Sequence, residues 1–80
     1  MGVKARVVVT LKPGVLDPQG KAIEGALKAM GVDGVAAVRQ GKVFDIEIDG
    51  EREGARKRLE DACERLLANT IVETYAIEIG

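Results

Sequence analysis

The stretch Val3-Lys4-Ala5-Arg6-Val7-Val8-Val9-Thr10-Leu11-Lys12-Pro13-Gly14-Val15-Leu16-Asp17-Pro18 holds a strand, its stop and a helix start in one run. Val3, Ala5, Val7, Val9 and Leu11 alternate with Lys4, Arg6, Val8, Thr10 and Lys12, so one strand face is apolar and the other mixed. Pro13 has no amide to give a ladder and Gly14 relaxes the backbone, so the strand ends there. Asp17 is placed to cap a helix with its carboxylate, and Pro18 suits the first helical position. Ala22, Ile23, Ala26, Leu27 and Met30 then recur at helical spacing until Gly31 supplies a stop.

Working outward, residues 35–40 read as a second strand with Gly41 as the turn residue. Residues 43–49 read as a third, with Phe44, Ile46 and Ile48 opposite Asp45, Glu47 and Asp49. The short link predicts a hairpin. A second helix is expected to run to about Ala68, with Ala55, Leu59, Ala62, Cys63, Leu66 and Leu67 as its apolar stripe. Its other face offers an attractive Lys57–Asp61 pair and a repulsive Glu60–Glu64 pair, as a solvated surface does. Residues 71–79 close as a fourth strand, with Ile71, Tyr75, Ile77 and Ile79 on one face. The order β-α-β-β-α-β predicts an α+β, ferredoxin-like two-layer sandwich with an antiparallel sheet, and residues 1–80 are expected to form one domain. Val8, Val38 and Val72 would lie on the sheet face without a helix, so a further subunit is expected to cover part of it.

Composition narrows the function. The chain contains no His, no Ser and no Trp, and its one cysteine is Cys63. Neither a Ser–His nor a Cys–His pair can be assembled, which removes the common routes to an activated nucleophile. Zinc and the softer metals want clusters of Cys and His, so such a site is not expected. Net charge is −1 with the signs mixed, and Phe44 and Tyr75 are the aromatics, so no basic stripe or stacking platform suits nucleic acid. No apolar run is long enough to span a membrane, and a cytoplasmic location is expected. A lone cysteine gives no internal disulfide, so a small domain is expected to gain stability as a homo-oligomer, a dimer or tetramer.

Three features remain as candidate sites. Residues 11–20 place two prolines and two glycines before a helix start; a plain turn and cap accounts for them, and a rigid surface for an anion or a partner is the alternative. Residues 38–44 form a turn with two cations, Arg39 and Lys42, and a solvated turn explains these equally simply. Asp45, Glu47 and Asp49 alternate along one strand face and could in principle hold a magnesium ion, yet any exposed strand face alternates in this way and the pattern has little specificity. Cys63, on an apolar helical stripe, reads as a buried, inert thiol.

Together these segments resemble the PurS family, the small subunit of phosphoribosylformylglycinamidine synthase. The resemblance is carried by residues 9–23 (Val-Thr-Leu-Lys-Pro-Gly-Val-Leu-Asp-Pro-Gln-Gly-Lys-Ala-Ile), by residues 38–44, and by residues 66–75. Thr70 stands where family members commonly have Pro. The resemblance implies a non-catalytic subunit that bridges a glutaminase and a large synthetase subunit. The complex would use ATP and magnesium to convert formylglycinamide ribonucleotide and glutamine to the amidine in purine synthesis, with no cofactor held by this chain. The expected docking residues are Lys12, Pro13, Gly14, Asp17, Pro18, Gln19, Gly20, Arg39, Gly41 and Lys42. An ACT-like module binding a small molecule shares the element order and is the alternative. An acylphosphatase relative is not supported, because that family's loop arginine and asparagine have no counterpart.

Overall fold

The computed structural model describes residues 2–80. Alternation in the first segment produces strand β1, Gly2–Leu11, in which Val3, Ala5, Val7 and Val9 are buried. β1 is the middle of a three-stranded antiparallel sheet, flanked by β2 (Gly41–Asp49) and β3 (Glu73–Ile79). Val7 stands opposite Phe44 on one side and Ile77 on the other, and Val9 opposite Lys42 and Tyr75. Directly paired residues share a face, so Phe44, Ile46 and Ile77 extend the apolar surface of β1. Helix α2, Arg52–Ala62, lays Ala55 and Leu59 on this surface, and Cys63 follows one turn on, at the start of a π-helical turn spanning Cys63–Leu67. The result is the expected two-layer α+β arrangement.

Five local expectations differ from the structure. Residues 35–40 belong to no strand and join no ladder, so β2 finds its partner in β1 and the expected hairpin does not form. The cause is that Arg39 and the Gln40 amide are bonded to the loop after β1, which holds the segment at the end of the sheet. Val8 does lie on the helix-free face, whereas Val38 and Val72 belong to no strand. Leu66 is 82% exposed, because the wide π-turn advances the backbone out of α-helical register and turns Leu67 inward instead. Ile71 is 83% exposed, because a turn at Asn69 delays β3 to Glu73. On the outer face of the second helix, Asp61 pairs with Arg65 at 3.4 Å rather than with Lys57.

Helix α1, Pro18–Ala29, forms where the cap and apolar spacing place it, and Gly31 (φ 81°) ends it in the left-handed region. It packs to no appreciable extent on the sheet or on α2. Gly20 is its buried residue, while Ile23 is exposed and Met30, at its C-terminal cap, is 76% exposed. The radius of gyration is accordingly 15.9 Å, with extents of 48 × 25 × 14 Å. A compact chain of this length would have a radius near 12 Å. α1 is an arm.

Cys63 is fully buried in the cluster with Val7, Val9 and Ala68. Burial pushes its thiol pKa up, and the nearby Glu64 and Glu60 charges add to the effect. Cys63→Ala is expected to cost about 1 kcal/mol, as small core truncations do. A thiol reagent should label the native protein far more slowly than the chain in denaturant; equal rates would refute the burial.

Candidate docking site

The two segments singled out in the sequence, residues 12–20 and 39–42, meet at one end of the sheet. Asp17 joins them. One carboxylate oxygen accepts from the Gly20 amide at 2.9 Å, capping α1, and the other accepts from the Gln40 amide at 2.8 Å. The Gln40 and Gly20 amides, with help from the Arg39 charge, hold the Asp17 carboxyl below the usual aspartate range against a smaller opposing effect of burial. Arg39 closes the joint from the other side, donating to the Leu11 carbonyl at 2.8 Å and the Lys12 carbonyl at 3.1 Å.

Glycine is required where these strands of chain cross. A Cβ on Gly20 would collide with the Val38 carbonyl oxygen and lie 2.7 Å from the Asp17 carboxylate. A Cβ on Gly41 would lie 2.6 Å from the Val9 carbonyl oxygen. Both obstacles include backbone that cannot swing aside. Gly14, at φ 87°, takes the left-handed turn after Pro13.

The ten expected residues therefore divide in two. Asp17, Gly20 and Arg39 hold the joint together, and Gly41 lets β2 start against β1. Lys12, Pro13, Gly14, Pro18, Gln19 and Lys42 face solvent. A groove of about 230 Å³ runs between Leu11, Asp17, Gln19, Gln40, Lys42 and Glu73. Lys42 reaches across β1 to Glu73 at 3.6 Å. Among the described residues no three His, Cys, Asp or Glu side chains converge as metal ligands, and Asp45 is engaged by Arg6 at 2.9 Å. Nor is any helix there long and apolar enough to cross a membrane.

The junction at residues 69–73 is ordered by its own hydrogen bonds, not by a proline at Thr70. The Asn69 carbonyl accepts from the Val72 and Glu73 amides, its side chain accepts from the Ile71 amide, and its own amide donates to the Glu73 carboxylate at 2.6 Å. The Lys12 amide donates to the Val72 carbonyl at 2.9 Å, tying this junction to the loop after β1. Sequence periodicity gave no sign that Leu66 and Ile71 face outward here; the Asn-Thr pair after the helix was the one available signal.

Comparison with known proteins agrees with this geometry. Residues 4–80 match the family PurS, phosphoribosylformylglycinamidine (FGAM) synthase. The phosphoribosylformylglycinamidine synthase subunit PurS of Mycobacterium leprae is 46% identical over 74 residues, covering 92% of this chain and 91% of that one. The corresponding subunit of Synechocystis is 44% identical over 75 residues, covering 92% and 75%. The crystal structure of Methanocaldococcus jannaschii PurS superposes with a TM-score of 0.90 at 36% identity over 100% of this chain and 96% of that one. The structure of PurLQS from Thermotoga maritima contains a chain that superposes with a TM-score of 0.93 at 32% identity, covering 100% and 99%. A match spanning residues 4–80, with relatives well above 30% identity, makes this chain a member of the PurS family.

Proposed function

We propose that this chain is the non-catalytic PurS subunit of phosphoribosylformylglycinamidine synthase, joining a glutaminase and a synthetase subunit in purine biosynthesis. The observation that carries this reading is the match over residues 4–80 to subunits of that enzyme, one of them solved as PurLQS. Chemistry agrees, since a chain without His or Ser can assemble neither a Cys–His nor a Ser–His pair. The residues form one domain in the cytoplasm. ATP and magnesium serve the complex, and this chain binds neither. Ammonia passing between subunits must be kept from water, so tight docking is itself the contribution. An ACT-like regulatory role is not favoured, because the full-length likeness is to synthase subunits.

Docking falls to the solvent-facing members of the joint: Lys12, Pro13, Gly14, Pro18, Gln19 and Lys42, held in place by Asp17, Gly20, Arg39 and Gly41. The arm has a different task, binding a second copy of the chain. Its exposed stripe of Ile23 and Met30, with the half-buried Leu27, lacks a cover, and the apolar side of β2 has no second helix over it. Two copies exchanging arms would cover both surfaces about a two-fold axis.

The test is to reconstitute the glutaminase and synthetase subunits with and without this chain and follow amidine formation from glutamine. Glutamine-dependent synthesis should collapse without it. Equal rates in both mixtures would defeat the bridging role.

A further inference from the structure

Of the three cations in the docking site, Lys12, Arg39 and Lys42, only Lys42 makes an ion pair with a carboxylate among the described residues. Its partner is Glu73, the first residue of β3, and the two lie on opposite sides of β1. Lys42 stands opposite Val9 and Glu73 opposite Leu11. Both side chains therefore leave the sheet on the face of β1 that carries Val9 and Leu11. The ion pair crosses over the central strand where that strand ends.

Glu73 is the fixed half of this pair. Its Oε1 accepts from the Asn69 amide at 2.6 Å, while its own amide donates to the Asn69 carbonyl at 2.7 Å. The reciprocal bonds hold both the backbone and the side chain of Glu73, as the two bonds of a capping box do. Oε2 is left for the Lys42 ammonium, 3.6 Å away. Burial is lopsided, with the Glu73 side chain 16% exposed and that of Lys42 58%. The carboxylate lies beneath and the ammonium stays open to water. Asp17, the other carboxylate lining the same groove, has its two oxygens occupied by the Gly20 and Gln40 amides, so it does not compete for Lys42. An ion pair this open to water adds little stability. What it adds is position. A lysine has a long stem with many rotamers, and settling it before docking removes that ordering cost from the binding step.

We propose that Glu73 is a positioning residue for docking, holding Lys42 in the conformation that meets an acceptor on the partner surface. The inference rests on the docking role given to Lys42 above and adds a residue that the sequence did not mark. Glu73 acts through Lys42 and touches no partner atom itself.

The experiment titrates the full chain into fixed amounts of the glutaminase and synthetase subunits and reads glutamine-dependent amidine formation. The variants are Glu73→Gln, Lys42→Met and the two together. Glu73→Gln keeps an oxygen for the Asn69 amide and loses the charge that holds Lys42. It should raise the half-saturating concentration of the chain about threefold, the scale of freeing one long side chain. The rate at saturating Glu73→Gln chain should match that of the unmodified chain. Lys42→Met should raise the half-saturating concentration at least as far, and Glu73→Gln added to it should raise it no further. The cycle subtracts whatever Glu73→Gln does to the fold, so it decides even where that variant is less stable. An equal effect of Glu73→Gln with and without Lys42 would overturn the proposal, since Glu73 would then act through the Asn69 turn. An unchanged or lower half-saturating concentration for Glu73→Gln, where Lys42→Met raises it, would also overturn the proposal and leave the docking role of Lys42 standing. No effect of Lys42→Met would remove Lys42 from the docking surface, and this inference with it.

Discussion

Leu59→Ala is expected to destabilise the chain by about 3 kcal/mol, within the range seen when a buried leucine leaves a cavity. Leu59 is 2% exposed and sits with Ala55 on the face of α2 that covers the sheet. That helix covers the sheet alone, because α1 contributes nothing appreciable to the same layer. A thin core has few side chains able to move into the space. For a domain of this size the loss corresponds to a fall in melting temperature of roughly 15 °C, and it is a large share of the whole folding free energy. The comparison that gives the measurement its force is Leu66→Ala. Residues 59 and 66 are seven apart and would share a face of a continuous α-helix. The π-turn places Leu66 in solvent, so the identical truncation there should change stability by less than about 0.5 kcal/mol. Melting curves must be taken at one protein concentration, since self-association would shift them by mass action. Equal losses at the two positions would show that the helix continues in α-register through Leu66.

How far the sequence speaks for the structure depends on whether the deciding contact is local. The alternation in β1, the Asp17–Pro18 helix start and the Gly31 stop depend on neighbours in the chain, and each was legible. Whether residues 35–40 become a strand depends on a ladder partner, and there the β-like composition of Val35 and Val38 misleads. Their neighbours Arg39 and Gln40 are bonded to a loop more than twenty residues away, which no short window reveals. The stripe on α1 was legible as amphipathic, but amphipathicity does not say which molecule supplies the other half of the contact. A π-turn has no residue signature, so Leu66 was assigned to the core by a period that the backbone does not keep. The site shows the same division. Its segments were recognisable through their family resemblance, whereas the separation of Asp17, Gly20 and Arg39 as holders from Lys12 and Lys42 as surface required the hydrogen bonds.

Gly20→Val is expected to uncouple the arm from the sheet and to abolish self-association. The added side chain would drive its Cβ into the Val38 carbonyl and the Asp17 carboxylate, and a backbone carbonyl cannot rotate away as a side chain does. Overpacking of this kind costs about 1–3 kcal/mol, relieved here by displacement of residues 35–40 or of the first turn of α1. Either movement breaks the Asp17–Gln40 bond and changes the angle at which Ile23 and Met30 are offered to a second copy. Helicity should survive, because α1 is stabilised within itself, with Lys28 paired to Glu24 at 3.3 Å. By light scattering at micromolar concentration the unmodified chain should have at least twice the chain mass, and Gly20→Val the mass of one chain with nearly unchanged far-ultraviolet circular dichroism. Acid gives an independent handle on the same joint. The Asp17 pKa is lower in the folded chain than its ordinary value of 3.8. The charged form is therefore the one the fold favours, and its contribution is complete above pH 3.8 and lost as pH falls through the lower folded value. Oligomer mass should accordingly hold down to about pH 4 and fall below it. Asp17→Asn, which keeps a capping side chain without the charge, should remove the part of that acid sensitivity that belongs to the joint. A Gly20→Val protein that keeps the mass of the unmodified chain would show that the arm's angle is not what the second copy recognises.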